Sequence, residues 1–168
     1  GTGGAVRSAV PNIAGDASHI IICTGDTPLI KTDTFRNAIE QFTKSGSDLT
    51  VVSTILEDAG HYGRIVRNSR NEVESIVEYL DADESERKIR EINSGIYIVD
   101  KKFLVEAVFK IKNNNSKYEY YLTDIVKIAN RMSRKVTAIV ETDSFSLSGI
   151  NDQEQLKEVE AEMLKRRQ

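Results

Sequence analysis

The chain has 168 residues, 39% of them hydrophobic and 29% charged, the balance of an ordinary globular domain with its own core. A net charge of −3 leaves no electrostatic footprint for nucleic acid, and no apolar run is long enough to span a membrane. A single cysteine excludes an internal disulfide, two histidines beside it do not make a zinc site, and no signal-peptide pattern opens the sequence, so the expected setting is the cytoplasm.

The glycine cluster Gly1-Thr2-Gly3-Gly4 reads either as a tag remnant or as the start of a loop-to-helix element. Residues 4–14 are expected as a short helix ending near Gly15. Residues 19–24 carry the apolar run Ile20-Ile21-Ile22-Cys23, the pattern of a strand buried on both faces, with Cys23 an unreactive buried thiol. Gly25 and Asp26 break the run. Asp26 then sits at the carboxyl edge of the strand, where open α/β sheets place ligand groups; a plain turn capped by Asp26 is the alternative.

Residues 33–45 place Phe35, Ala38, Ile39 and Phe42 on one helical face, and Gly46 ends the helix. The β-branched run 49–56 is a strand. Residues 64–67 and 73–78 form a hairpin joined through Asn68-Ser69-Arg70-Asn71, and 83–88 a short charged helix. Residues 92–99 are a strand kinked at Gly95. Helices follow at 101–111 and 121–132, a strand at 136–141 and a charged helix at 152–166. Strands alternating with helices indicate an α/β fold, with the hairpin as an inserted antiparallel piece.

Four further local signals are ambiguous one by one. Gly63 in Tyr62-Gly63-Arg64 exposes a backbone N–H or makes a turn. Asn93, inside an apolar strand, bonds a ligand or satisfies a bulge beside Gly95. Thr123 and Asp124 bind a ligand or end a helix, and Asn151 is a ligand group or a helix N-cap.

Taken in order, Gly1-Thr2, Gly25-Asp26-Thr27-Pro28-Leu29-Ile30, Tyr62-Gly63-Arg64-Ile65-Val66, Ile76-Val77-Glu78, Glu91-Ile92-Asn93-Ser94-Gly95-Ile96-Tyr97, Glu119-Tyr120-Tyr121-Leu122-Thr123-Asp124 and Gly149-Ile150-Asn151 closely resemble the uridylyltransferase domains of bacterial bifunctional N-acetylglucosamine-1-phosphate uridylyltransferase / glucosamine-1-phosphate acetyltransferases. The resemblance covers essentially the whole chain. It implies an α/β, Rossmann-like mixed sheet of the nucleotide-diphospho-sugar transferase type, N-terminally truncated. Residues 1–150 would be the truncated nucleotidyltransferase domain and 151–168 a C-terminal helix or connector.

The implied reaction joins UTP and N-acetylglucosamine 1-phosphate into UDP-N-acetylglucosamine and pyrophosphate, with no protein nucleophile. Such chemistry needs charge neutralisation and in-line positioning. By the resemblance, Mg²⁺ is held by Asp26 and Asn151; Gly1, Thr2 and Gly25 face the nucleotide; Gly63, Glu78 and Asn93 hold the sugar; Tyr121 and Thr123 close over the sugar phosphate. The partners implied are nucleotide and sugar-phosphate small molecules. The sequence departs from the family pattern at Gly4, Thr24, His61 and Tyr118, the last two standing where glycine is usual. The family's Leu-x-x-Gly-x-Gly-Thr-x-Met loop and Pro-Lys are not among the 168 residues. The expectation is therefore a fragment inactive alone, with a bare strand edge at 19–24 covered by a second copy or another chain. The alternatives are a non-catalytic sugar-phosphate or nucleotide-sugar binding module, or a scaffold with a vestigial site.

Overall fold

The computed structural model describes residues 1–150 and 152–166. Six strands form its sheet: β1 (His19–Ile22), β2 (Leu49–Ile55), β3 (Arg64–Arg67), β4 (Val73–Val77), β5 (Glu91–Asp100) and β6 (Val136–Val140). The order is β4-β3-β5-β2-β6, with β1 also on β5. β-Branched Leu49–Ile55 takes a central place, and its first six residues are buried. β2 runs antiparallel to β5 and parallel to β6, and the hairpin β3–β4 is antiparallel. The sheet is thus mixed, as the resemblance implied.

One feature of the topology creates the site. β2 occupies one edge of β5, so β1 and β3 must share the other. β1 pairs with residues 97–100 of β5, and β3 reaches only Ile92. Between them β5 bulges: the β2–β5 register shifts between Val52 and Ser53, and Gly95 takes φ +80°. A Cβ on Gly95 would lie 2.8 Å from Thr24 Cγ2, so this position needs glycine for both conformation and space.

Six helices surround the sheet: α1 (Thr2–Ala9), α2 (Thr32–Ser45), α3 (Glu84–Arg87), α4 (Lys101–Ala107), α5 (Asp124–Arg131) and α6 (Gln153–Arg166). One core buries Phe103, Leu104, Val108, Ile125, Val126 and Ala129 against Val51, Tyr97 and Val99. A smaller core packs Ala38 and Phe42 of α2 with Val52, Ile96, Ile98 and Leu147. Full burial of side chains of this size contributes about 1.5–3 kcal/mol each. Local caps fix the ends: Asp100 accepts from Phe103 N at 2.8 Å, and Asp83 and Glu86 form a capping box.

Several expected elements are corrected. Residues 19–24 are not a strand buried on both faces. β1 spans His19–Ile22 on one edge, alternating exposed and half-buried, with Ile21 43% exposed. Only its β5 side is paired among the described residues, and only Ile20 and Ile22 lean on the core. Cys23 is accordingly exposed, not a buried thiol. The first helix starts earlier than residue 4 and ends earlier than 14. Gly3 N donates to Tyr120 O at 2.7 Å, drawing the glycine cluster into α1, and Val10–Asn12 continues as a 3₁₀ turn around Pro11. The helix expected at 101–111 turns 3₁₀ at Val108, and that expected at 121–132 begins at Asp124. Tyr118 adopts φ +55°, a left-handed conformation that favours glycine, whereas His61 is not among the positive-φ residues.

Candidate functional site

The gap between β1 and β3 opens into a cavity of about 620 Å³. It lies beyond the end of β1, where the strand hands over to Thr24-Gly25-Asp26, and Gly63, Asn93 and Gly95 face it from the other side. Such a volume suits a small-molecule ligand. Seven of the site residues read from the sequence line it: Thr2, Gly25, Asp26, Gly63, Glu78, Asn93 and Thr123. Gly1 and Tyr121 line an adjoining cavity of about 420 Å³ that shares Thr2, His61 and Glu78 with the first. Asn151 lies outside the described residues. Its sequence neighbour Ile150 donates to the Asp26 carbonyl at 2.9 Å, so the segment leading to 151 runs beside Asp26. Helix α6 is entered through Asp152, whose carboxylate accepts from Glu154 N and Gln155 N at 2.9 and 2.8 Å.

Local hydrogen bonds set the wall. Thr123 Oγ1 donates to Glu78 Oε1 at 3.0 Å, spanning from the start of α5 to the residue after β4. Thr123 is the N-cap residue of α5 and Asp124 its first residue, so the helix-end reading holds for their positions; the Thr123 hydroxyl caps no helix N–H and is engaged with Glu78 instead. Asn93 serves both of its readings: its Oδ1 accepts from Gly95 N at 3.1 Å, satisfying the bulge, while the side chain still lines the cavity. Gly63 closes against Glu78, since an added Cβ would sit 3.2 Å from Ile76 Cγ2 and 3.4 Å from Glu78 Oε2. Thr2 Oγ1 accepts from Leu122 N at 3.0 Å, tying α1 to the segment before α5. Tyr62, missed in the sequence, accepts from Gly149 N at 3.1 Å and joins the two ends of the site.

The electrostatics are one-sided. Burial pushes the Glu78 carboxyl above the ordinary carboxylate range; the Thr123 hydrogen bond and Lys117 pull it back, and Asp81 and Asp124 push it further up. Asp124 is likewise raised, chiefly by burial. No lysine or arginine lines the larger cavity among the described residues. The Asp26 carboxylate is exposed and makes no hydrogen bond or ion pair with a described residue. No cluster of three or more His, Cys, Asp or Glu converges on one point among the described residues. No helix among them is long and apolar enough to cross a membrane.

The cleft lies at the end of a strand in a mixed α/β sheet, where such sheets place ligand groups, and sets Asp26, Glu78, Asn93 and threonine hydroxyls among apolar side chains such as Val6, Ile22 and Leu122. Comparison with known proteins gives the class. Residues 1–146 match the nucleotidyl transferase family, and the chain belongs to it. It is 40% identical over 166 residues to the bifunctional protein GlmU of Oceanobacillus iheyensis, covering 99% of this chain and 36% of that protein. The chain spans about a third of the length of the curated relatives it matches. Among solved structures, a putative glucose-1-phosphate thymidylyltransferase from Bacillus anthracis in complex with sucrose shares the fold, with a TM-score of 0.68 at 20% identity over 96% of this chain and 60% of that one. HddC from Yersinia pseudotuberculosis, complexed with GMP-PN, gives a TM-score of 0.55 at 26% identity over 84% of this chain and 53% of that one.

Proposed function

We propose that the chain carries the sugar-nucleotide site of a uridylyltransferase that forms UDP-N-acetylglucosamine from UTP and N-acetylglucosamine 1-phosphate. One observation supports this most: Thr2, Gly25, Asp26, Gly63, Glu78, Asn93 and Thr123, scattered in sequence from residue 2 to residue 123, face one cavity of about 620 Å³. In this reading Thr2 and Gly25 contact the nucleotide, with Gly1 beside them. The Glu78 carboxylate accepts from sugar hydroxyls, the Asn93 amide both donates and accepts, and Gly63 lets the sugar approach the backbone. Thr123 holds Glu78 in place, and Tyr121 closes the adjoining compartment.

Asp26 and Asn151 would hold Mg²⁺. The free Asp26 carboxylate and the passage of the chain toward residue 151 beside it fit a hard cation with few protein ligands. When bound, the ion supplies charge neutralisation for the phosphates. The residues of this chain bind, orient and exclude water; the sugar phosphate itself is the nucleophile, and pyrophosphate is the leaving group. Since no lysine or arginine lines the cavity among the described residues, a triphosphate finds no side-chain cation there. The adjoining cavity carries the cation of Lys117, and the edge of β1 that is unpaired among the described residues offers a place for a further strand or for a second copy.

Calorimetric titration tests the reading. UDP-N-acetylglucosamine is expected to bind more tightly than UDP, and Mg²⁺ to strengthen binding in the wild type but not in Asp26→Ala. The 168 residues alone are expected to show negligible turnover of UTP and N-acetylglucosamine 1-phosphate. Absence of sugar-nucleotide binding, or robust turnover by the isolated chain, would contradict it.

A further inference from the structure

Hydrogen-bond polarity around Asn93 singles out a residue to which nothing so far gives a role. The Gly95 backbone N–H can only donate, and it points at the Asn93 side chain at 3.1 Å. The amide oxygen must therefore face Gly95, and the amide nitrogen faces the Tyr97 hydroxyl at 2.8 Å. That nitrogen can only donate, so the Tyr97 oxygen accepts. The phenolic hydrogen then has to point elsewhere, and no described residue accepts it. Tyr97 is 2% exposed; its ring belongs to the main core, and the residue lines the cavity. A buried hydroxyl in this position is a donor waiting for an acceptor. Burial, with the nearby Glu78 charge, pushes the phenol well above its ordinary range, outweighing the Asn93 hydrogen bond, so the group keeps its proton at any working pH.

We propose that Tyr97 is a positioning and specificity residue for the sugar: it locks the Asn93 amide in one orientation and offers the last donor of the chain Gly95 N–H, Asn93 Nδ2–H, Tyr97 O–H to a ligand oxygen beside Glu78. This rests on the sugar-nucleotide reading of the cavity. The lock leaves Asn93 one N–H and one lone pair for ligand, and it forbids the flipped amide. The ligand group that fits is one presenting an acceptor oxygen to Tyr97 and Asn93 and a hydroxyl donor to Glu78, a pattern that a sugar ring supplies.

Tyr97→Phe tests this, because it removes the hydroxyl and keeps the ring in the core. In the ligand-free chain, the Asn93 side-chain amide resonances are expected to shift and the amide to rotate more freely; unchanged resonances would overturn the lock. With ligand, Tyr97→Phe is expected to lose about tenfold in affinity for UDP-N-acetylglucosamine and nothing for UDP. Asn93→Ala is expected to lose at least as much, and the double variant no more than Asn93→Ala alone, because the two groups act as one. A merely structural role would lower the melting temperature and weaken both ligands alike. Wild-type chain that binds UDP-N-acetylglucosamine, with Tyr97→Phe binding equally well, would overturn this inference and leave the proposed function standing. Wild-type chain that binds no sugar nucleotide would overturn both.

Discussion

Glu78→Gln is expected to yield a more stable protein and a poorer binder. Burial holds the folded-state Glu78 carboxyl above the ordinary carboxylate range, ahead of the opposing Thr123 and Lys117 effects. The unfolded chain therefore ionises this group first as pH rises. Wild-type stability falls between the ordinary carboxylate pKa and the higher folded value, and the loss persists at neutral pH. Glutamine does not ionise, and its oxygen can still accept from Thr123. The variant should melt higher at pH 7, and the gain should shrink on acidification until it vanishes once both states of the wild type are protonated. Loss of a charged acceptor for sugar hydroxyls should weaken UDP-N-acetylglucosamine by roughly ten- to a hundredfold, the range for hydrogen bonds to charged groups. Thermal melts across pH 4–7 and calorimetry measure both. A melting temperature unchanged or lower at pH 7 would remove burial as the source of the shift.

Arg64→Met is expected to cost stability heavily, although the site contains no Arg64 contact. Arg64 is 2% exposed and has no carboxylate partner. Its guanidinium instead donates to the carbonyls of Ala59 at 3.1 Å, Gly60 at 2.8 Å and Arg87 at 3.4 Å, and to that of Tyr62. Tyr79 lies under it at 5.6 Å, with Arg87 and His61 on the same ring. The loop before β3 is thus wound around one side chain, and it carries Tyr62 to Gly149 and Gly63 to the cavity. Methionine fills the space but removes the guanidinium from the carbonyls of Gly60, Tyr62 and Arg87, while the Ala59 carbonyl keeps the Tyr62 N–H at 3.2 Å. Gly60 and Arg87 are exposed and can turn to water, so the part-buried Tyr62 carbonyl and the lost loop contacts set a cost of about 1–3 kcal/mol in urea denaturation. Lysine should recover only part of it, because one ammonium cannot reproduce the planar fork. A loss below about 1 kcal/mol would mean that water replaces the guanidinium freely.

Motif order carried more of this site than hydrophobic pattern did. Asp26, Gly63, Asn93 and Thr123 were each ambiguous alone, and the structure brings all four to one cavity. The run Ile20-Ile21-Ile22-Cys23 misled because a short apolar run does not distinguish a central strand from an edge strand; pairing partners decide that, and β1 has one among the described residues. Tyr97 was not legible, since residues four apart in a regular strand lie about 13 Å apart along the backbone. Only the bulge at Gly95 lets the two side chains meet at 2.8 Å. Arg64 was not legible either. An arginine at the start of a hairpin strand reads as solvated, and nothing local indicates that four carbonyls will enclose it.

If a sugar nucleotide binds in the gap between β1 and β3, backbone amide shifts on adding UDP-N-acetylglucosamine will report it. Perturbations are expected at Thr24–Thr27, Gly63, Glu78, Asn93–Gly95 and Thr123, with little change along a separate groove of about 650 Å³ lined by Arg67, Asn130 and Val136. Perturbations centred on that groove, or none at Asn93 and Glu78 at saturating ligand, would contradict it.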